Sequence, residues 1–150
     1  VLHYDPLTGV FMWLAGQRKG LPAGTDKGGG YVQISIDGVL YNAARLAVFY
    51  MTGEWPADDV DHRDRTASNN RWDNLRDATH AQNMQNKSLD KRSKTGHTGV
   101  HFDAERGKYR AQINVAGKAV RLGRFDTAEL AAAAYATAKA DLHTFNPVVA

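Results

Sequence analysis

In the segment Val60–Asn86, VDHRDRTASNNRWDNLRDATHAQNMQN, Asp61 and His62 stand side by side. Asn74 lies twelve positions after His62, and Asn83 nine beyond Asn74. Asparagine is poor in the interiors of helices and strands, because its amide competes for backbone hydrogen bonds. A run this rich in it is a set of turns, a disordered tail or a site. If Val60–His62 forms one arm of a hairpin, Trp72–Arg76 the returning arm, and Thr79 starts a helix, then Asp61, His62 and Asn83 meet at one point. Asn74 then ties the intervening loop to its neighbours. The grouping offers hard oxygen ligands, which suit one Mg²⁺ or Mn²⁺, and one imidazole able to act as a base near neutral pH. Arg63, Arg65 and Arg71 flank the group and read equally well as holders of a phosphate or as a solvated loop. His80 starts the same helix as Asn83.

The rest of the chain must position those residues. Tyr4–Trp13 reads as a turn around Pro6 and Gly9 followed by a short strand, and residues 16–30 as a loop rich in Gly and Lys. YVQISIDGVLYNA alternates Tyr31, Gln33 and Ser35 with Val32, Ile34 and Ile36. With Asp37-Gly38 as its tight turn, it predicts a β-hairpin. Helical spacing follows at Ala43, Leu46, Ala47 and Tyr50, ending at Gly53 with Pro56 beyond. Residues 87–98, KSLDKRSKTGHT, lack apolar periodicity and read as a basic linker. Three short strands come next, with turns near Arg106-Gly107 and Ala116-Gly117. In the second of them Lys108, Arg110, Gln112 and Asn114 alternate with Tyr109, Ala111, Ile113 and Val115. DTAELAAAAYATAKADLH closes the pattern as a helix that Asp126 or Thr127 can cap, with alanines (Ala131 to Ala140) that let it lie close to a sheet. Trp13, Trp55 and Trp72 read as core or hairpin anchors.

The 150 residues are 43% hydrophobic, enough for one domain or two small ones. The absence of cysteine excludes disulfides and Cys-based zinc sites. No apolar run reaches membrane-spanning length and no signal-peptide pattern stands at Val1, so a cytoplasmic protein without membrane contact is expected; the start at Val rather than Met reads as a trimmed fragment. Residues 1–86 carry 8 Lys and Arg against 10 Asp and Glu, a balance of −2, whereas residues 87–150 carry 11 against 6, a balance of +5. A near-neutral front and a basic back suggest two modules, the second facing a polyanion. On its sheet, Lys108, Arg110, Gln112 and Asn114, joined by Arg121, combine phosphate partners with amides able to pair with adenine edges.

The Asn-rich segment resembles the HNH motif of the ββα-metal endonucleases of phage and homing type: Asp-His, a loop with Asn-Asn-Arg, then Asn-Leu-Arg, then a helix bearing Asn. RLAVFYMTGEWP upstream is similar to the helix that precedes this motif, and the resemblance spans roughly Ala43 to Asn86. It implies that Asp61 and Asn83 hold the metal, that His62 is the general base, and that Asn74 orients the loop or His62. The chain departs from the family at Ala44, where many members have His, and it carries Asn83 where many have a third-motif His.

The back half, TGVHFDAERGKYRAQINVAGKAVRLGRFDTAELAAAAYATAKADLH, resembles the AP2 DNA-binding domain. The Gly-Val start, the Tyr-Arg-Ala-x-Ile strand, the Leu-Gly-x-Phe-Asp-Thr-Ala-Glu corner and the Ala-Ala-x-x-Tyr helix carry the likeness. That family inserts its sheet into the DNA major groove, and by position His101, Asp103, Gln112, Asn114 and Arg121 fall at or near its contact sites. Together the two resemblances predict an α+β chain. An HNH nuclease domain over residues 1–86 (core motif 60–86) is joined by the linker 87–98 to an AP2-like domain over 99–150, a three-stranded antiparallel sheet packed on one helix. The activity expected is metal-dependent nicking of double-stranded DNA by a monomer, or a double-strand break if two copies meet. A non-catalytic DNA-binding protein on an HNH scaffold, and an RNA-directed nuclease, are the rival readings.

Overall fold

The computed structural model describes residues 1–86, 89 and 93–145. Part of the segment read as a basic linker, residues 87–88 and 90–92, lies outside the described residues, as do 146–150. The architecture is mixed α+β, with few helices and several small antiparallel sheets. Among the described residues the chain divides into two compact units, 1–83 and 84–145.

The first unit opens with an antiparallel hairpin, β1 (Leu2–Asp5) and β2 (Val10–Trp13), extended by the two-residue β3 (Pro22–Ala23). The region read as plain loop therefore holds short strands. β4 (Thr25–Asp26) pairs with β5 (Val32–Ile36), and β5 with β6 (Val39–Asn42). The β5–β6 turn is Asp37-Gly38, both at positive φ (49° and 82°), the twist that a two-residue hairpin requires. α1 (Ala43–Thr52) starts where Asn42 accepts the Arg45 backbone N–H and stops at Gly53, which is left-handed. Its inner face, Ala43, Ala44, Leu46 and Ala47, packs with Tyr4, Phe11, Ile34 and Leu75 into the core of this unit. Trp55 is not a core anchor: its ring is stacked between Tyr41 and Phe49 and is 45% exposed.

On this core sits a two-stranded ribbon, β7 (Asp59–His62) and β8 (Leu75–Ala78), followed by α2 (His80–Gln85). The α2 start is a reciprocal cap: Thr79 N–H donates to Gln82 Oε1, and Thr79 Oγ1 accepts the Gln82 backbone N–H.

The second unit has one sheet in the order β11-β10-β9, with β9 (Val100–Asp103), β10 (Lys108–Val115) and β11 (Lys118–Phe125) all antiparallel. α3 (Ala128–Leu142) packs across it, capped by the Thr127 side chain. Val100, Ala111 and Ala131 form its buried centre, and because alanines meet at this contact, helix and sheet approach closely. No helix among the described residues is long and apolar enough to cross a membrane.

Candidate active site

Strand alternation puts Asp59 and Asp61 on one face of β7 and Val60 and His62 on the other. Asp61 pairs in register with Arg76 of β8, and His62 with Leu75. Arg76 donates through Nε to Asp61 Oδ2 at 2.7 Å, and its Nη2 lies in ion-pair contact with the same oxygen at 2.7 Å, with the two side chains 13% and 5% exposed. This is a buried, charge-assisted pair that fixes the direction of the Asp61 carboxylate.

The loop between the strands is closed by Asn74. Its Oδ1 accepts the Asp64 N–H at 3.0 Å, and its Nδ2 donates to Asp64 Oδ1 (2.9 Å) and to the Asn69 carbonyl (2.7 Å). The Asn74 carbonyl accepts the Arg63 N–H. Burial pushes the Asp64 carboxyl up, but hydrogen bonds from Asn69, Thr66 and Asn74 outweigh it and hold the group below the usual carboxylate range. Asn74 thus touches the loop and not the imidazole. The imidazole is met instead by Asn70, whose Oδ1 lies 3.0 Å from His62 Nε2. Both residues are buried, and the ring of Tyr31 stands edge-on to His62 at 6.3 Å.

Asn83 does not reach Asp61 by a direct hydrogen bond in this arrangement. Its Nδ2 donates to Asp59 Oδ2 at 3.0 Å, and His80 Nδ1 lies 3.1 Å from the same oxygen. The Asn83 and His80 hydrogen bonds hold the Asp59 carboxyl below its usual range. By strand alternation Asp59 shares its face of β7 with Asp61, and it is Asp59 that the Asn83 amide meets. Of the flanking arginines, Arg65 is exposed on the loop at positive φ, and Arg71 is exposed and paired with Asp73. The Arg63 Nε is buried with no hydrogen-bond partner among the described residues.

In the second unit, β10 carries Lys108, Arg110, Gln112 and Asn114 on the face turned away from the buried Ala111 and Ile113. In register, Arg110 stands between His101 of β9 and Arg124 of β11, and Gln112 opposite Arg121. A β-bulge at Leu122 makes this possible: the extra residue shifts the alternation, so Arg121 and Arg124 share one face although three positions apart. Lys108 is paired with Asp126, and Arg124 with Asp103 at 3.3 Å.

Several residues of these sites were not singled out from sequence, among them Asp59, Arg76, Asn70 and Arg124. Asn70 lies in the Asn-Asn-Arg run, but nothing in its spacing distinguishes it from Asn69. Arg124 needs the bulge, for which Gly123 inside a strand was the available signal.

Residues 41–85 match the family model described as HNH endonuclease, a span running from β6 through α1, β7 and β8 to the last residue of α2. The match supports metal-dependent nuclease, hence hydrolase, activity and a nucleic-acid substrate. No curated protein and no solved structure matches the chain.

Proposed function

We propose that the chain is a metal-dependent DNA endonuclease of phage or homing type that nicks one strand at selected sites. The observation that carries this reading is the adjacent Asp61 and His62 on β7, inside the span that matches HNH endonucleases. His62 takes a proton from water, and the hydroxide attacks phosphorus in line. Asn74 keeps the loop after His62 on a fixed path, and Arg63, Arg65 and Arg71 stand along that loop as phosphate partners.

Asp61 and Asn83 hold one divalent ion, Mg²⁺ or Mn²⁺. The donor set fits it: Asp59 takes the Asn83 amide nitrogen, and Asn83 Oδ1 accepts no hydrogen bond among the described residues, so the amide presents its hard oxygen. Mg²⁺ keeps several waters and binds through one or two protein oxygens plus substrate phosphate. A cluster of three or more carboxylates or histidines is therefore not required, and none occurs among the described residues. When bound, such an ion offsets the charge that develops on the phosphate and the leaving 3′ oxygen.

The basic sheet of the second unit, read as an AP2-like domain, grips duplex DNA through His101, Lys108, Arg110, Gln112, Asn114 and Arg121, with Arg124 added by the bulge. The +5 balance of residues 87–150, linker included, supplies most of the counterion release and so most of the affinity. The test is supercoiled plasmid with purified protein, first stripped by chelator and then given Mg²⁺ or Mn²⁺. Nicked circles that appear only with the ion are expected. DNA binding without cleavage in either metal would instead favour the second reading, a non-catalytic binder on an HNH scaffold, to which Ala44 in place of the frequent His points.

A further inference from the structure

Asn70 is held at both ends. Its side-chain oxygen meets His62 Nε2, and its backbone carbonyl accepts a 2.6 Å hydrogen bond from the hydroxyl of Tyr4. Tyr4 belongs to β1, is 1% exposed, and packs its ring on Phe11 at 4.8 Å. Burial pushes its hydroxyl up to about 12, so it stays a donor across the range in which a nuclease works. Two more contacts reach the same stretch from the same hairpin. The Trp72 N–H donates to the Pro6 carbonyl at 3.0 Å. Gly9, at φ +75°, leaves no room for a side chain: a Cβ there would lie 2.4 Å from the Arg71 nitrogen and the Asn70 carbonyl carbon. Residues 4–9 thus fix the chain at 70–72 by two hydrogen bonds and one backbone-on-backbone contact. None of those residues lies within the span 41–85 that matches HNH endonucleases.

An amide oxygen only accepts, so the His62 Nε2 that faces it must carry the hydrogen. The lone pair of the neutral ring is then on Nδ1, and a general base acts through its lone pair. Imidazole otherwise exchanges freely between its two tautomers and rotates about its side-chain bonds, and a base in the wrong tautomer cannot take the proton. We infer that the amino-terminal hairpin is a positioning element of the active site: Tyr4 and Gly9 set the backbone at Asn70, and Asn70 holds His62 in one tautomer and one orientation. The inference rests on His62 being the base, and it makes Asn70 and Tyr4 positioning residues rather than catalytic ones.

The experiment uses the full chain, labelled with ¹⁵N at histidine, with the His62 signal assigned by its absence in His62→Gln. In the unaltered protein, long-range proton–nitrogen spectra show His62 as the Nε2–H tautomer. In Asn70→Ala the signal moves to a mixture of tautomers, and kcat falls by about tenfold or more, up to the roughly 10²–10⁴ that a general base contributes, while KM for DNA holds. Tyr4→Phe, which removes one oxygen and keeps the core ring, shifts both readouts the same way by less, and it serves if Asn70→Ala does not fold. An unaltered tautomer and kcat in both variants overturns the inference. A loss in Asn70→Ala with none in Tyr4→Phe removes the hairpin from the account. Retained nicking by His62→Ala defeats the base assignment itself and takes the inference with it, whereas an inactive His62→Ala beside an unaffected Asn70→Ala sinks the inference alone.

Discussion

The β7–β8 ribbon and the β9–β11 sheet both display polar residues, and they treat them in opposite ways. In the ribbon Asp61, His62, Asn70 and Asn74 are 4%, 7%, 3% and 8% exposed, and each is tied to a neighbour by hydrogen bonds. In the sheet the buried positions are apolar, Val100, Ala111 and Ile113, while His101, Lys108, Arg121 and Arg124 lie in solvent. Burying polar groups is costly unless every one is satisfied, and it is worth that cost where direction matters. Proton transfer and ion binding need fixed directions. Attraction to a polyanion needs only positive charge near its path, and long exposed side chains deliver that without fixed geometry. On the proposed function, the two regions differ as a place for chemistry differs from a place for grip.

The sharpest way to break that contrast is His62→Ala. Cleavage of plasmid in Mg²⁺ should fall by about 10²–10⁴-fold, while affinity for duplex DNA, measured by fluorescence anisotropy at fixed salt, stays nearly unchanged. Equal losses in both would mean that the ribbon carries grip as well as chemistry.

Arg76→Ala probes the burial on which the ribbon depends. It removes a charge-assisted hydrogen bond and an ion-pair contact from a carboxylate 5% exposed, so the variant should lose about 3–5 kcal/mol of stability in urea denaturation. Added Mg²⁺ should recover part of that loss, because the ion restores positive charge beside Asp61. Recovery that is no larger than in the unaltered protein would count against Asp61 as a ligand.

The smallest effect belongs to the sheet and sharpens the contrast there. Arg121→Ala should lower the slope of log affinity against log salt by about 1, the value of one phosphate contact. Lys108→Ala should lower it by less, since Lys108 already faces Asp126. Cleavage at saturating DNA should be the same in both variants. Equal slopes for Arg121→Ala, Lys108→Ala and the unaltered chain would remove the sheet as the DNA-facing surface.

Much of the fold was legible from local chemistry. Asp37-Gly38 announced its hairpin, because few other pairs tolerate positive φ twice, and Lys108–Val115 alternated cleanly because one face is buried. A ribbon was expected with Trp72–Arg76 as its returning arm; Trp72–Asn74 instead forms a single helical turn and the strand runs Leu75–Ala78, while the helix expected from Thr79 starts at His80. What stayed hidden is tertiary. Asn70 and Asn69 are the same residue type side by side, and only the chain path decides that one faces His62 while the other bonds Asp64. That path is set by residues 4–9, more than sixty positions away, which no local pattern reports. The strand begins one residue earlier than expected, so Asp59 joins Asp61 on its face. That Asn83 donates to Asp59 depends on the angle at which α2 leaves the ribbon, which sequence spacing does not specify. At Leu122 one extra residue in the strand broke the alternation itself.

That bulge also bears on solubility. Within its sheet β11 is an edge strand, and an edge presents unpaired backbone groups that can recruit a strand from another molecule. A bulge at Leu122-Gly123 bends the edge out of register, and Lys118, Arg121 and Arg124 space positive charge along it, so two such edges repel and do not mesh. Stripping this strand of its cations to weaken its proposed hold on DNA would at the same time leave it more prone to aggregate.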